Sequence, residues 1–152
     1  MPDPISFASE SARYQFPYLF SGQAQREVFV NEAFARLDAL LHAAVEGTAD
    51  SPPADPSEGE CWLVGDSPTG AWADNPGALA AFEAGGWIFA SPREGLRLLE
   101  KPTGQEIRYL DGWQRPATPA APAGGSTVDA EARAAIVELV EALIAAGVLA
   151  QD

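Results

Sequence analysis

Apolar and polar positions alternate with different rhythms along the chain. Over residues 23–47 apolar side chains recur at Ala24, Val28, Ala33, Phe34, Leu37, Leu40, Leu41 and Ala44. After an irregular start the spacing is three and four, which gathers them on one stripe of a helix. Ser21 or Gly22 is placed to cap it, Gln25-Arg26-Glu27 opens it in polar fashion, and Gly47 is placed to stop it. Over residues 126–147 the rhythm returns at Ala132, Ile136, Leu139, Leu143 and Ala146, with Val140 and Ile144 beside them. Ser126 or Thr127 can cap this second helix, Asp129 and Glu131 suit the dipole of its first turn, and Gly147 ends it.

Between the helices the period shortens. Glu60–Val64, Ala71–Ala73, Trp87–Ala90, Leu96–Glu100, Ile107–Leu110 and Trp113–Arg115 are short strand candidates separated by Gly- and Pro-bearing turns. Asp111-Gly112 between apolar runs is a tight-hairpin signal. Ala78–Ala84 reads as one or two helical turns with Leu79 and Phe82 inward. Thr69-Gly-Ala-Trp72, Ala84-Gly-Gly-Trp87 and Leu110-Asp-Gly-Trp113 each place a Trp just after a Gly turn, at spacings too uneven for a solenoid.

The fold class is therefore α+β: an N-terminal arm and helix, a small antiparallel β-meander domain and a C-terminal oligomerising helix. The divisions are an extended arm at 1–22, a helix at 23–47, a linker at 48–59, a β-rich domain at 60–115, a Pro/Ala/Gly linker at 116–125 and the last helix at 126–152. The arm carries five aromatics, too many for a disordered polar tail. It is expected to pack on its own domain or on a neighbouring subunit. The last helix, tethered by a linker, would leave Ile136, Leu139, Val140, Leu143 and Ile144 in water, forfeiting roughly 1.5–3 kcal/mol for each. Those five residues are the expected oligomer interface, a parallel bundle in a cyclic homo-oligomer, with docking on its own body as the alternative.

Charge narrows the partners. There are 9 Lys and Arg against 22 Asp and Glu, a net charge of −13. This disfavours nucleic acid and anionic membrane surfaces as partners. The N-terminus lacks the basic and apolar regions of a secretory signal, and no apolar stretch is long enough to span a bilayer. Cys61 and His42 are the only cysteine and histidine, so nucleophilic triads and most metal sites would all depend on them. Cys61 reads as a small core residue and His42 as a packing or capping residue. Asp66, Asp74, Glu83, Glu94 and Glu106 lie in or near loops; two could form a glycosidase pair, but a solvated acidic surface accounts for them. No Asp-x-Asp-x-Asp-Gly run supports a Ca²⁺ loop. The expectation is no enzyme, no cofactor and no metal. Trp72, Trp87 and Trp113 are candidates for stacking on a glycan, with cross-strand packing as the alternative.

Three runs carry a resemblance: Leu19–Asp38 (LFSGQAQREVFVNEAFARLD), Ser57–Trp72 (SEGECWLVGDSPTGAW) and Gly86–Leu96 (GWIFASPREGL), followed by Asp111-Gly-Trp. Over about residues 15–115 they resemble a domain of unknown function found in structural proteins of bacterial prophages and gene transfer agents. The resemblance implies a virion protein of the head spike, similar to a spike base, attached to the capsid and supporting adhesion to the recipient cell. The implied partners are capsid and spike-fibre proteins, with cell-surface polysaccharide as a further candidate. The implied place is the surface of a phage-like particle assembled in the cytoplasm and released by lysis. The alternative is a carbohydrate-binding module that contacts capsular polysaccharide directly through exposed Trp residues. No catalytic motif accompanies the family, and the Gln23, Gln25, Glu27, Asn31 and Glu32 run is expected to be structural.

Overall fold

The computed structural model describes residues 16–19, 22, 24–125 and 128–151. Most of the arm, with Ser21 and Gln23, and the proposed caps Ser126 and Thr127 lie outside them. The architecture is α+β: helix α1 (Arg26–Leu40), strands β1 (Ala44–Val45), β2 (Thr48–Ala49), β3 (Cys61–Val64), β4 (Leu79–Glu83), β5 (Gly86–Ala90), β6 (Arg97–Glu100), β7 (Gln105–Tyr109) and β8 (Trp113–Gln114), then helix α2 (Ala130–Ala145). The strands form two four-stranded sheets, ordered β1-β6-β7-β8 and β2-β3-β4-β5. Within each, three consecutive strands form an antiparallel meander, while β1 joins β6 and β2 joins β3 in parallel.

One segment belongs to both sheets. On one side Leu99 N–H donates to the Ala43 carbonyl (2.9 Å) and Lys101 N–H to Val45 (3.0 Å). A few residues on, Glu46 N–H donates to Cys61, and Leu63 and Gly65 donate to Gly47 and Ala49. Residues 44–49 thus leave the expected first helix and linker to become the joint between the meanders. The expected helix stops early: Leu41 closes α1 and His42, at φ 55°, turns the chain into β1. Gly47 sits in the joint and terminates no helix.

Both sheets feed one core, built from Ala43, Val45, Leu63, Leu79, Ala90, Leu98 and Ile107, with Leu40, Cys61 and Trp113 packed against it. The β2–β5 sheet has a second covered face, where Val64, Trp72 and Ala80 pack with Trp62, Trp87 and Phe89. This overturns the expected helical turn at Ala78–Ala84. With both faces covered, β4 shows no polar alternation, and its alanines leave room for the Trp72 ring. Trp72 itself lies in a 3-10 turn, Gly70–Trp72, where a strand was expected.

Two turns are held from a distance by carboxylates. Ala84 (φ 53°) and Gly85 (φ 75°) form the β4–β5 hairpin turn, with the two positive φ values of type I′. Glu58 accepts from both of their amides, at 2.8 and 2.9 Å, which offsets the strain of a non-glycine residue there. Asp111-Gly112 turns β7 into β8 as expected, and Glu94 accepts from Asp111 N–H at 2.9 Å.

Glu100 is 7% exposed. Its Oε1 accepts from Arg115 Nε and Nη2 at 3.0 and 2.7 Å, and Thr48 bridges the pair. Arg115→Met would leave that carboxylate buried and unpaired, and is expected to lower stability by about 2 kcal/mol. Breaking the more exposed Lys101–Glu46 pair by Lys101→Met should cost under about 1 kcal/mol. Urea unfolding of both variants checks the order.

Candidate functional surfaces

Helix α2 starts one residue after Asp129, whose carboxylate accepts from Ala132 N–H at 2.8 Å. This side chain caps the helix, and Glu131 complements the dipole. The C-terminal end is a Schellman turn: Gly147 (φ 70°) donates to Ile144 (2.9 Å) and Val148 to Leu143 (2.9 Å). Gly147 therefore ends the helix as expected.

The chain beyond Gly147 folds back on its own β-body. Glu106 N–H donates to the Gly147 carbonyl at 2.7 Å, Gln105 Nε2 to Val148 at 3.0 Å, and Gln151 N–H to Thr103 at 2.9 Å. Leu149 is 6% exposed. The helix itself gains no such cover: none of its residues is buried. Ile136 is 46% exposed and Leu139 60%. Val140, Leu143 and Ile144 are half-buried. The five interface candidates therefore share one helix that is anchored at its foot, with two of them exposed and three half-buried.

Helix α1 shows a second apolar surface. Leu40 and Ala39 pack against the core, and Phe29, Val30, Ala33 and Arg36 are half-buried. Val28, Phe34 and Leu37, read as part of the buried stripe, are exposed instead. Val28 and Phe34 line a groove of about 730 Å³ between α1 and the β4–β5 hairpin, lined also by Glu83 and Ile88.

The tryptophans divide. Trp72 is 0% exposed, so its ring offers no face to a ligand in this fold; that stacking candidate is corrected. It packs edge-on against Trp87, ring centroids 5.0 Å apart, and lies 6.4 Å from Trp62. Its Nε1 is buried without a hydrogen-bond partner. Trp87 is half-buried on β5. Trp113 packs partly on the core and donates from Nε1 to the Gly77 carbonyl at 3.0 Å. With Tyr109, 5.4 Å away, it borders a cleft of about 650 Å³ that also holds Thr48, Asp50, Asp66, Ser67 and Arg115. The three candidates do not form one platform: Trp72 and Trp87 lie on the outer face of one sheet and Trp113 at the edge of the other.

Several acidic side chains serve the fold. Glu58 and Glu94 hold turns, and Asp50 accepts from Ser67 N–H at 3.1 Å. Glu60 accepts from Ser57 N–H and from Trp62 Nε1, at 3.0 and 2.6 Å, which holds its carboxyl below the usual range. Among the described residues no three His, Cys, Asp or Glu side chains gather to hold a metal. Cys61 packs on the core, and burial pushes its thiol upward, against a smaller opposing pull from Lys101. Less thiolate and restricted access should make native Cys61 react with a maleimide at pH 7 much more slowly than the urea-unfolded chain. Equal labelling rates in the two states would contradict the burial.

A comparison with protein families matches residues 30–114 to a family described as a protein of unknown function, DUF2793. The match takes in most of α1 and all eight strands and stops before α2. No curated protein matches the chain.

Proposed function

We propose that this chain, which belongs to the DUF2793 family, is a non-enzymatic structural subunit of a phage-like particle, a spike-base protein that assembles through its C-terminal helix. The observation that supports the assembly is α2: a well-capped helix with Ile136, Val137 and Leu139 exposed and Val140, Leu143 and Ile144 only half-buried, while its foot is fixed to the β-body. A helix of 16 residues is marginal alone and takes most of its stability from packing. Copies of α2 packed in parallel supply that cover, and a cyclic assembly presents them in parallel. The placement in a virion rests on the resemblance of the Leu19–Asp38, Ser57–Trp72 and Gly86–Leu96 runs. In that role the β-body and the exposed face of α1 would meet capsid or fibre proteins.

Sedimentation velocity of the full chain tests the assembly. An oligomer is expected, and Leu139→Asp with Leu143→Asp is expected to reduce it to monomer while the β-rich circular dichroism persists. A wild-type chain that sediments as a monomer at high micromolar concentration defeats this reading.

One observation favours direct glycan contact as a second reading. Trp113 and Tyr109 border a polar cleft that also offers Asp50, Asp66 and Arg115, the mix of flat ring and hydrogen-bonding groups that a sugar requires. On this reading a capsular polysaccharide binds the wild type, and Tyr109→Ala weakens that binding about tenfold by isothermal calorimetry, the loss of one ring contact plus its hydroxyl. Unchanged affinity in that variant removes the cleft from consideration.

A further inference from the structure

The chain carries both halves of a charge-complementary contact and leaves Arg108 on one half, and all three glutamates on the other, without an ion pair among the described residues. The basic half lies on the outward side of the β1-β6-β7-β8 sheet. Arg97 and Arg108 stand directly opposite each other on β6 and β7, their neighbours Leu98 and Ile107 being buried in the core. Like charges in this position repel and destabilise a sheet. Arg97 has only Glu106 near it, at 4.0 Å, with both side chains mostly in solvent. No carboxylate of the described residues forms an ion pair with Arg108. Arg115 borders the same cleft of about 470 Å³, already committed to Glu100. Three of the 9 basic residues in a chain of net charge −13 thus line one concavity, with Glu106 as the one carboxylate in its lining.

The acidic half is on α2. At about 100° per residue, Ile136, Val140, Leu143 and Ile144 centre on one side of the helix, while Glu131, Glu138 and Glu141 centre on the opposite side. All three glutamates are exposed, and none forms an ion pair among the described residues. The spacing also fits. Facing residues of antiparallel strands hold their Cβ atoms about 5 Å apart, and helix residues three apart about 5–6 Å. Glu138 and Glu141 therefore present carboxylates at the separation of Arg97 and Arg108. Their own helix does not deliver them: α2 leaves the cleft foot-first at Gly147, which puts Glu141 about 9 Å along the axis.

We infer that the Arg97–Arg108 cleft docks the acidic face of α2 from a second copy of this chain. The inference rests on the reading that α2 assembles copies, and it adds what the outer face of that helix meets. Each α2 turns its apolar side to the other helices and its glutamates to the next body in the ring. Such a head-to-tail contact closes when the rotation is cyclic. It also adds counter-charge to the repulsive Arg97–Arg108 pair, beside which Glu106 is the one carboxylate in the cleft.

A charge-swap series on the full chain tests this by sedimentation velocity. Arg97→Glu with Arg108→Glu is expected to raise the dissociation constant of the oligomer by about tenfold or more, as reversal of close charge pairs does at interfaces. Adding Glu138→Arg and Glu141→Arg to that variant is expected to restore much of the loss. Raising salt from about 0.05 to about 0.5 M should weaken the wild type and leave the neutral Arg97→Gln, Arg108→Gln variant less affected. Circular dichroism confirms that each variant is folded. An unchanged dissociation constant in the reversal variant, or no rescue by the added arginines, overturns the cleft while leaving the apolar helix contact intact. A monomeric wild type overturns both.

Discussion

The fold depends on a short segment that hydrogen-bonds in two directions. Residues 43–49 pair with β6 through the carbonyls of Ala43 and Val45, and with β3 through Glu46, Gly47 and Ala49. Each meander has three consecutive strands, near the minimum for an independent sheet. Joined through this segment they share one core, and the residue at the joint, Val45, is fully enclosed. Backbone pairing on both sides also removes an inner edge from each sheet, edges that would otherwise be open to pairing with other chains. The joint turns two marginal meanders into a single body stiff enough to hold a projecting helix.

The second consequence is the double-sided β2–β5 sheet. Its inner face closes the common core and its outer face is covered by Trp72 from the 3-10 turn, flanked by Trp62 and Trp87. A ring of that size, fully enclosed, commits the Asp66–Ala78 connection to the body, so a stretch rich in Gly and Pro becomes structural. Acidic residues act similarly. Glu58, Glu94 and Asp50 reach 17 to 27 residues along the chain to satisfy turn amides. An abundance of carboxylates that looks like a solvated surface in composition is partly a set of long-range caps, which the folded chain can satisfy without matching cations.

What the sequence disclosed followed from locality. The Gly147 stop, the Asp111-Gly112 turn and the antiparallel ladders beside it depend on residues a few positions apart, so their signals survive in one dimension, whereas Asp129, read as a first-turn charge with Ser126 or Thr127 as the cap, is itself the cap. Cys61 as a core residue was legible for the same reason. The failures share the opposite cause. Ala78–Ala84 looked helical because alanine favours helices, but its strand is fixed by two covered faces supplied from elsewhere. The first helix was read too long because Leu41 and Ala44 continue its spacing, whereas the partners of Ala44 and Val45 on β6 lie 55 residues downstream. The outward turn of Val28 and Phe34 was hidden because periodicity finds a stripe without saying which side the body occupies. The burial of Trp72 depends on a three-residue turn that no periodic signal marks. Arg97 and Arg108 escaped notice altogether; only the strand register places them side by side.

Helix α2 has its own local logic, and it leads outward. Its ends are satisfied by Asp129 and the Gly147 turn, and its foot is fixed by Leu149 and by hydrogen bonds to Thr103, Gln105 and Glu106. Those contacts set where the helix starts and the direction in which it departs, but they leave Ile136 and Leu139 exposed and Val140, Leu143 and Ile144 only half-buried. A helix designed only to fold would turn its apolar stripe onto the adjacent body, because each large side chain so covered contributes roughly 1.5–3 kcal/mol. Here the body offers instead, next to the helix foot, a cleft that mixes Arg97, Arg108 and Arg115 with Glu106, Pro116 and Val148. The anchoring at one end lowers the entropy cost of presenting the helix to another molecule, since its direction is already restricted. An amphipathic helix fixed at one end, apolar on one side and acidic on the other, keeps both surfaces largely exposed on the single chain, and that exposure is what the proposed assembly would relieve.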